Sequence, residues 1–231
     1  MKKEENLWVI SLGGSRIAPS KGKIDHKFIR EFKQIIQTHQ DKKFVVVTGG
    51  GSTARKYISA LQDLGKSTKK QSLAGIAITR FHASFLTKIF GGIANDEVPR
   101  NTRKVKNLLK GIQIVFCGAL RYKDKNTSDG TAADLAAKLK APFINITNVR
   151  GIYTDNPLTN KHAKFIKKAT WKKFNEMALK IKYKAGQHFV LDQSASKIIL
   201  KHKIPTYIVG SLSDIKNIIE GKAYMGSLVS G

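Results

Sequence analysis

Cysteine, proline, acidic side chains and long apolar runs are all scarce in this chain of 231 residues. The single cysteine, Cys117, excludes an internal disulfide framework and a thiolate metal site, and it suits a reducing compartment. No apolar run approaches the ~20 residues needed to cross a bilayer. The N-terminal MKKEENLWVISLGGS begins basic, but Gly13 and Gly14 interrupt its apolar run after about six residues, too soon for a signal-peptide core. A cytoplasmic protein with no membrane partner is expected. The histidines (His26, His39, His82, His162, His188, His202) show no paired ligand spacing, so no metal site is expected from them. His82 lies in an apolar helical stretch and reads as a satisfied or surface histidine rather than a catalytic one. There is no GxSxG elbow for Ser-His-Asp chemistry, and no repeat or low-complexity linker divides the chain.

The shortage of acidic residues is the largest departure from ordinary composition. Forty-two Lys and Arg face 16 Asp and Glu, for a net charge of +26. The densest stretch, Lys161–Lys184, holds Lys161, Lys164, Lys167, Lys168, Lys172, Lys173, Lys180, Lys182 and Lys184 against Glu176 alone. Two readings stay open: a lysine-rich solvated face, or a surface for polyanions such as RNA. The lysines interleave with apolar positions read as helical (Phe165, Ile166, Trp171, Phe174). No zinc finger or aromatic RNA-binding signature accompanies them, so nucleic acid is the less favoured partner. Such a field would also draw small anionic substrates.

What is present is alternation. Strand-like runs at Leu7–Leu12, Phe44–Thr48, Ile112–Cys117, Phe143–Thr147 and Thr206–Val209 are separated by helical patterns. The helical patterns cover Asp25–Thr38, Ser52–Leu64, Leu73–Phe90, Gly130–Leu139, Leu191–Lys201 and Ser213–Glu220. This predicts an α/β fold, a three-layer αβα sandwich with a mostly parallel central sheet. In such folds ligands sit beyond the carboxyl ends of the strands. The glycines fall there. FVVVTGGGSTARKY (Phe44–Tyr57) runs an apolar strand into three glycines and a helix, and WVISLGGS (Trp8–Ser15) repeats the pattern. Glycine lets the backbone turn sharply and present N–H groups to an anion, and a following helix N-terminus adds unpaired donors. A tight strand–helix connection alone would look the same at either loop. In INITNVRGIYTDNP (Ile144–Pro157), Thr147 and Asn148 follow a strand and Tyr153 offers a flat face to a ribose or base.

Together these segments resemble the amino acid kinase family, and within it the archaeal type of uridylate kinase. LGGS (Leu12–Ser15) is similar to the family's first phosphate loop, GGGSTARKY (Gly49–Tyr57) to its GGGKxARKY, and GIAITR (Gly75–Arg80) to GIxxTR. TSDGTAADLAAKL (Thr127–Leu139) resembles TTDxxAALLAE, TNVRGIYTDNP (Thr147–Pro157) resembles TNVDGVYxxDP, and LDQSASKII (Leu191–Ile199) resembles IDxxAAKII. The resemblance spans nearly the whole chain as one domain, residues 1–231. An acceptor-binding half would cover about 1–116 and a nucleotide-binding half about 117–231.

The resemblance implies transfer of the γ-phosphate of ATP, with Mg²⁺, to a small phosphorylated acceptor, UMP giving UDP. It implies Gly13, Gly14, Ser15, Gly51 and Arg55 at the ATP phosphates, and Thr147, Asn148, Tyr153 and Asn156 at its nucleoside. Gly50, Ser72, Gly118, Thr127, Ser128 and Asp129 would meet the acceptor. Asp192 and Arg55 would be the catalytic pair, with Asp192 orienting the loops. Read from sequence alone, Asp192 is a plain helix cap. A homo-oligomer, a hexamer in the family, is implied too; Leu73–Phe90 would be core or subunit interface.

The chain departs from the pattern at several places. Gln71 and Ser72 stand where an acidic residue contacts the acceptor's ribose. GALRYKDKNTSD (Gly118–Asp129) is longer than GGTxPGxTTD, with Ala119 in place of a glycine and with Arg121, Lys123 and Lys125 added. Arg150 replaces the Asp of VDG, and Asn156 the Asp of the DP pair; Asp155, one position earlier, is a candidate substitute. Ser52, Thr53 and Ala54 hold no histidine such as isopentenyl phosphate kinases use after the same loop. Two alternatives to the kinase stay open: a nucleotide-binding regulatory protein without acceptor chemistry, and a basic RNA-binding protein on this fold.

Overall fold

The computed structural model describes residues 6–19, 23–122, 127–180 and 190–231. In chain order its elements are β1 (Leu7–Leu12), α1 (Gly14–Ile17), α2 (His26–Thr38), β2 (Lys43–Thr48), α3 (Gly51–Asp63), α4 (Thr68–Phe90), α5 (Thr102–Leu108) and β3 (Ile114–Cys117). There follow α6 (Ser128–Leu139), β4 (Phe143–Ile146), β5 (Ile152–Tyr153), β6 (Phe165–Ile166), β7 (Lys168–Ala169), α7 (Trp171–Lys180), α8 (Gln193–His202), β8 (Thr206–Val209), α9 (Leu212–Ile219) and β9 (Gly226–Val229).

Among these residues one seven-stranded sheet runs β3-β2-β1-β4-β8-β9-β7. The β3, β2, β1, β4 and β8 strands are mutually parallel, and β9 pairs antiparallel to β8. The chain moves outward from β1 through β2 to β3, then crosses back to set β4 on the other side of β1. The order therefore reverses between β1 and β4, the kind of place where open α/β sheets bind ligands.

Every central strand is apolar on both faces, and its period of two sorts those residues into two cores. Ile10, Leu12, Phe44, Val46 and Phe116 pack with Phe32 of α2, Leu86 of α4 and Ile215 of α9. Val9, Val45, Val47, Val115 and Phe143 pack with Leu135 of α6, Phe174 of α7 and Ile199 of α8. This is the three-layer sandwich expected from the sequence.

Several boundaries move. The third strand begins at Ile114, not Ile112. The long α4 starts at Thr68, five residues before Leu73, because Ser67 caps it by accepting from the Lys70 N–H. Phe165 and Ile166, read as helical, form the strand β6 paired to β5, and only Trp171 and Phe174 are helical. Lys182, Lys184 and His188 lie outside the described residues, as do Lys123 and Lys125.

Candidate active site

The two glycine loops interlock. A Cβ at Gly14 would stand 2.5 Å from the Gly49 carbonyl oxygen and 2.5 Å from the Gly51 nitrogen. One at Gly51 would stand 2.7 Å from the Ser15 nitrogen, and Gly51 itself has φ +58°. Only bare backbone fits this approach, and only glycine adopts the positive φ without strain. The parallel β1–β2 pair, in register from Leu7↔Lys43 to Leu12↔Thr48, delivers both loops to the same edge. Gly13 and Gly50 cap α1 and α3 without side-chain help, so the first N–H groups of both helices stay unpaired by side chains.

Support comes from α4. The buried His82 places Nδ1 2.8 Å from the Gly49 carbonyl oxygen; since a carbonyl only accepts, Nδ1 carries the proton. His82 is thus the satisfied histidine its sequence context suggested, and it positions the second loop. The Thr48 hydroxyl donates to the Thr79 carbonyl at 2.7 Å. The α4 residues also hold the start of the segment that follows β3. Ala119 N–H donates to Thr79 Oγ1 at 3.0 Å, while Arg80 donates from Nε to the Ala119 carbonyl (3.1 Å) and from Nη2 to the Leu120 carbonyl (2.6 Å). A Cβ at Gly118 would come within 2.5 Å of Thr79 Oγ1, so that position needs glycine, whereas the substituted Ala119 is buried without conflict. Ser72 lies one helical turn before Gly75, whose carbonyl oxygen is 3.7 Å from the place of a Gly50 Cβ.

On the α6–α8 side the strands turn polar as they reach the site. Val9 is followed two residues on by Ser11, and Phe143 by Asn145, which donates from Nδ2 to the Val190 carbonyl at 2.5 Å. Ser11 Oγ donates to Asp129 Oδ1 at 2.6 Å. The caps of α6 and α8 meet each other: Thr127 accepts from the Gly130 N–H and donates its hydroxyl to Asp192 Oδ2. Asp192 Oδ1 in turn accepts from the Ala195 N–H at 2.9 Å. Asp192 is therefore both the cap of α8 and the partner of Thr127, which caps α6. Ser128 Oγ lies 3.5 Å from the place of a Gly49 Cβ, which joins this cluster to the glycine loops.

Burial, and then the neighbouring Asp192 charge, raise the Asp129 carboxyl from its ordinary 3.8 to about 7, against the Ser11 hydrogen bond, which lowers it. Asp129 and Asp192, which form no ion pair among the described residues, make a set that suits Mg²⁺, which takes one or two carboxylates and leaves the rest of its shell to phosphate and water.

The other expected residues separate into a second region. Thr147 extends β4, its N–H donating to the Val209 carbonyl at 2.9 Å. Its hydroxyl donates to Asn148 Oδ1 at 3.3 Å. Tyr153 is half-buried, edge-on to Phe165 with centroids 5.5 Å apart. Asn156 begins a turn, its Oδ1 accepting from the Leu158 N–H. Asp155 does not stand free as a substitute. Bonds from Asn160 Nδ2 and the Asn156 N–H occupy its carboxylate and hold it below the usual range. Arg55 is exposed on α3 and makes no ion pair among the described residues. Arg121 lines a cleft of about 430 Å³ with Arg103, Thr131 and Lys138, and none of the glycine-loop residues lines it. Sequence reading passed over Ser11 and the supporting roles of Thr79, Arg80 and His82. The available signal was polar side chains interrupting otherwise apolar stretches.

Loops of this kind, on a sheet of this order, define a phosphate-handling α/β protein, and the chain belongs to the amino acid kinase family, whose sequence profile matches residues 6–210. Within it, the chain is 35% identical over 226 residues to the uridylate kinase of Archaeoglobus fulgidus, covering 96% of this chain and 99% of that protein. It is 33% identical to the uridylate kinase of Thermococcus kodakarensis, over 96% and 98% of the two chains. The crystal structure of the Archaeoglobus fulgidus uridylate kinase superposes with a TM-score of 0.83, over 97% of this chain and all of that one. The UMP kinase from Bacillus anthracis, 20% identical over 99% of this chain and 97% of that one, shares the fold with a TM-score of 0.80.

Proposed function

We propose that this protein is a nucleoside monophosphate kinase that transfers the γ-phosphate of ATP to UMP. The observation that carries this reading is the interlocking of the two glycine loops against the Ser11–Asp129 and Thr127–Asp192 pairs. Nearly full-length similarity to uridylate kinases supports the choice of acceptor.

Phosphoryl transfer asks little covalent chemistry of a protein; it asks for alignment and for donors aimed at the moving charge. An oxygen of the UMP phosphate attacks the γ-phosphorus, the bond from that phosphorus to the β,γ-bridging oxygen breaks, and UDP and ADP result. No general base is required, because the attacking oxygen already carries charge. Backbone N–H groups of Gly13–Ser15 and Gly51 would receive the ATP phosphates, and Gly50 the acceptor phosphate. Arg55, which makes no ion pair among the described residues, would swing onto the transferring group. Thr127, Ser128 and Asp129, with Ser72 and Gly118 opposite, would border the acceptor. Asp192 fixes Thr127 and so the entry to α6. When bound, Mg²⁺ would neutralise phosphate charge, and Asp129 would be the carboxylate to hold it. Thr147, Asn148, Tyr153 and Asn156 would hold the ATP nucleoside. The single domain would then have an acceptor-binding half over about 1–116 and a nucleotide-binding half over about 117–231, with Gly13–Ser15, Gly51 and Arg55 of the first reaching the ATP phosphates and Gly118 and Thr127–Asp129 of the second reaching the acceptor.

The outer side of α3 and α4 exposes Tyr57, Leu64, Leu73 and Phe81, which suits contact with a further copy in a homo-oligomer. No described helix is long and apolar enough to cross a membrane, in keeping with a cytoplasmic enzyme.

The test is ADP release from Mg·ATP against UMP, CMP, AMP, GMP, isopentenyl phosphate and acetylglutamate. Selective turnover of UMP is expected. Selective turnover of another acceptor, or none with ATP still bound, would overturn the assignment.

A further inference from the structure

The cleft that Arg121 lines is built from α5, α6, α8 and the segment after β3, and its volume of about 430 Å³ falls in the range of small-molecule sites. Its floor is apolar. Leu120 is buried there, and Ile198 of α8 is half-buried against the core that α6 and α8 share with the sheet. Thr131, Asp134 and Lys138 recur at three and four residues, so α6 turns a single stripe toward the cleft.

Asp134 is the sole acidic residue lining it among the described residues, and it is occupied: Lys138 Nζ donates to Asp134 Oδ2 at 2.6 Å. That pair is neutral as a unit, which leaves the charge of Arg103 and Arg121 unopposed. Both are exposed, and neither forms an ion pair or a side-chain hydrogen bond among the described residues. A guanidinium is a planar fork that grips oxyanions two oxygens at a time. A phosphomonoester carries about two negative charges at neutral pH and three acceptor oxygens, enough for both forks. A carboxylate, with a single charge and one oxygen fewer, would leave one arginine poorly served.

We propose that this cleft binds a small organic phosphomonoester, its phosphate on Arg103 and Arg121 and its apolar body on Leu120 and Ile198. The site is separate from the glycine loops but joined to the residues proposed for the acceptor. The Leu120 carbonyl accepts from Arg80 Nη2 at 2.6 Å, and the Thr131 hydroxyl donates to the Thr127 carbonyl at 2.9 Å. An occupant would thus brace Leu120 and Thr127, near the two ends of Gly118–Asp129, and shift KM for UMP while KM for ATP stays put. This last effect rests on the kinase reading; the binding does not.

The experiment is calorimetric titration of phenyl phosphate, inorganic phosphate and benzoate into the full chain and into Arg103→Gln and Arg121→Gln variants. The wild type is expected to bind phenyl phosphate more tightly than either of the others, because only it has both the charge and the apolar body. Each variant should weaken phenyl phosphate about 10-fold, the scale of a lost charge-assisted hydrogen bond, and leave ATP binding unchanged. Absence of phenyl phosphate binding, equal binding by wild type and both variants, or no preference over inorganic phosphate would overturn the proposal. Parallel loss of ATP binding in the variants would overturn it too, since it would place these arginines at the glycine loops. If UMP is not turned over, the kinase reading alone fails, and the titrations still judge the cleft.

Discussion

Gly14 and Gly51 meet backbone to backbone: a side-chain carbon on either would stand under 3 Å from the other's main chain. Gly51 adds a positive φ to that crowding, and Gly65, with φ +66° and nothing within 4 Å, has the positive φ alone. Gly65→Ala should therefore cost about 1–2 kcal/mol of stability from backbone strain and leave turnover unchanged. Gly51→Ala should lose as much stability or more and also drop kcat/KM for ATP by about 100-fold, the size of effect a small misplacement of phosphate donors produces. Urea titration and steady-state kinetics on the two variants separate strain from crowding. Equal behaviour of both would refute the interlock.

Asp192 has two duties that substitution can separate. Asparagine caps helices as well as aspartate, whereas alanine costs about 1 kcal/mol at such a cap. Asp192→Asn should keep wild-type stability yet lose at least about 100-fold in kcat, since an amide nitrogen replaces the carboxylate oxygen that accepts from Thr127 and so misaligns the groups it orients. Asp192→Ala should lose both. An Asp192→Asn enzyme with full activity would sink the assignment.

Asp129 makes stability depend on pH in an unusual direction. Its folded value, about 7, exceeds its ordinary 3.8, so the folded protein keeps a proton that the unfolded chain releases. The associated stability is complete below about pH 4 and falls as pH rises toward 7. Thermal melts between pH 5 and 8 should show this decline, and Asp129→Asn should flatten it. Mg²⁺ should restore part of the loss at pH 8 in the wild type and not in the variant. A wild-type profile as flat as the variant's would remove Asp129 from this role.

His82 and Arg80 act through backbone rather than on substrate. His82→Ala leaves the Gly49 carbonyl without its donor, which for a buried group costs about 1–3 kcal/mol. We expect KM for ATP to rise several-fold, with partial rescue in His82→Asn, which restores a donor. Kinetics of the pair decide it: no difference between alanine and asparagine would mean that packing alone matters.

Arg80→Lys keeps the charge but cannot span the Ala119 and Leu120 carbonyls with a planar fork. KM for the acceptor should rise about 10-fold while KM for ATP stays near wild type. A matched rise in both would place Arg80 elsewhere in the mechanism.

Much of this was legible before any coordinates. The two strand–glycine–helix loops, the alternation of apolar strands with helices, and the order of the six motifs are local patterns, because side-chain period and glycine's conformational freedom act over a few residues. From them came the sandwich, the family and most of the residues proposed for the site. The short elements β5, β6, β7, β9 and α5 carry too few residues to show a period, and Phe165 and Ile166 were accordingly misplaced on a helix. What only the tertiary structure decided is which polar groups meet. Ser11 and Asp129 are 118 residues apart, and Thr127 and Asp192 are 65 apart. Those meetings exist because the sheet order sets β1 beside β4 and packs α6 on α8, so that carboxylates and hydroxyls remote in sequence share one poorly solvated edge. Arg103 and Arg121 come to line one cleft in the same way, from a helix and a segment beyond a strand that no spacing along the chain announces.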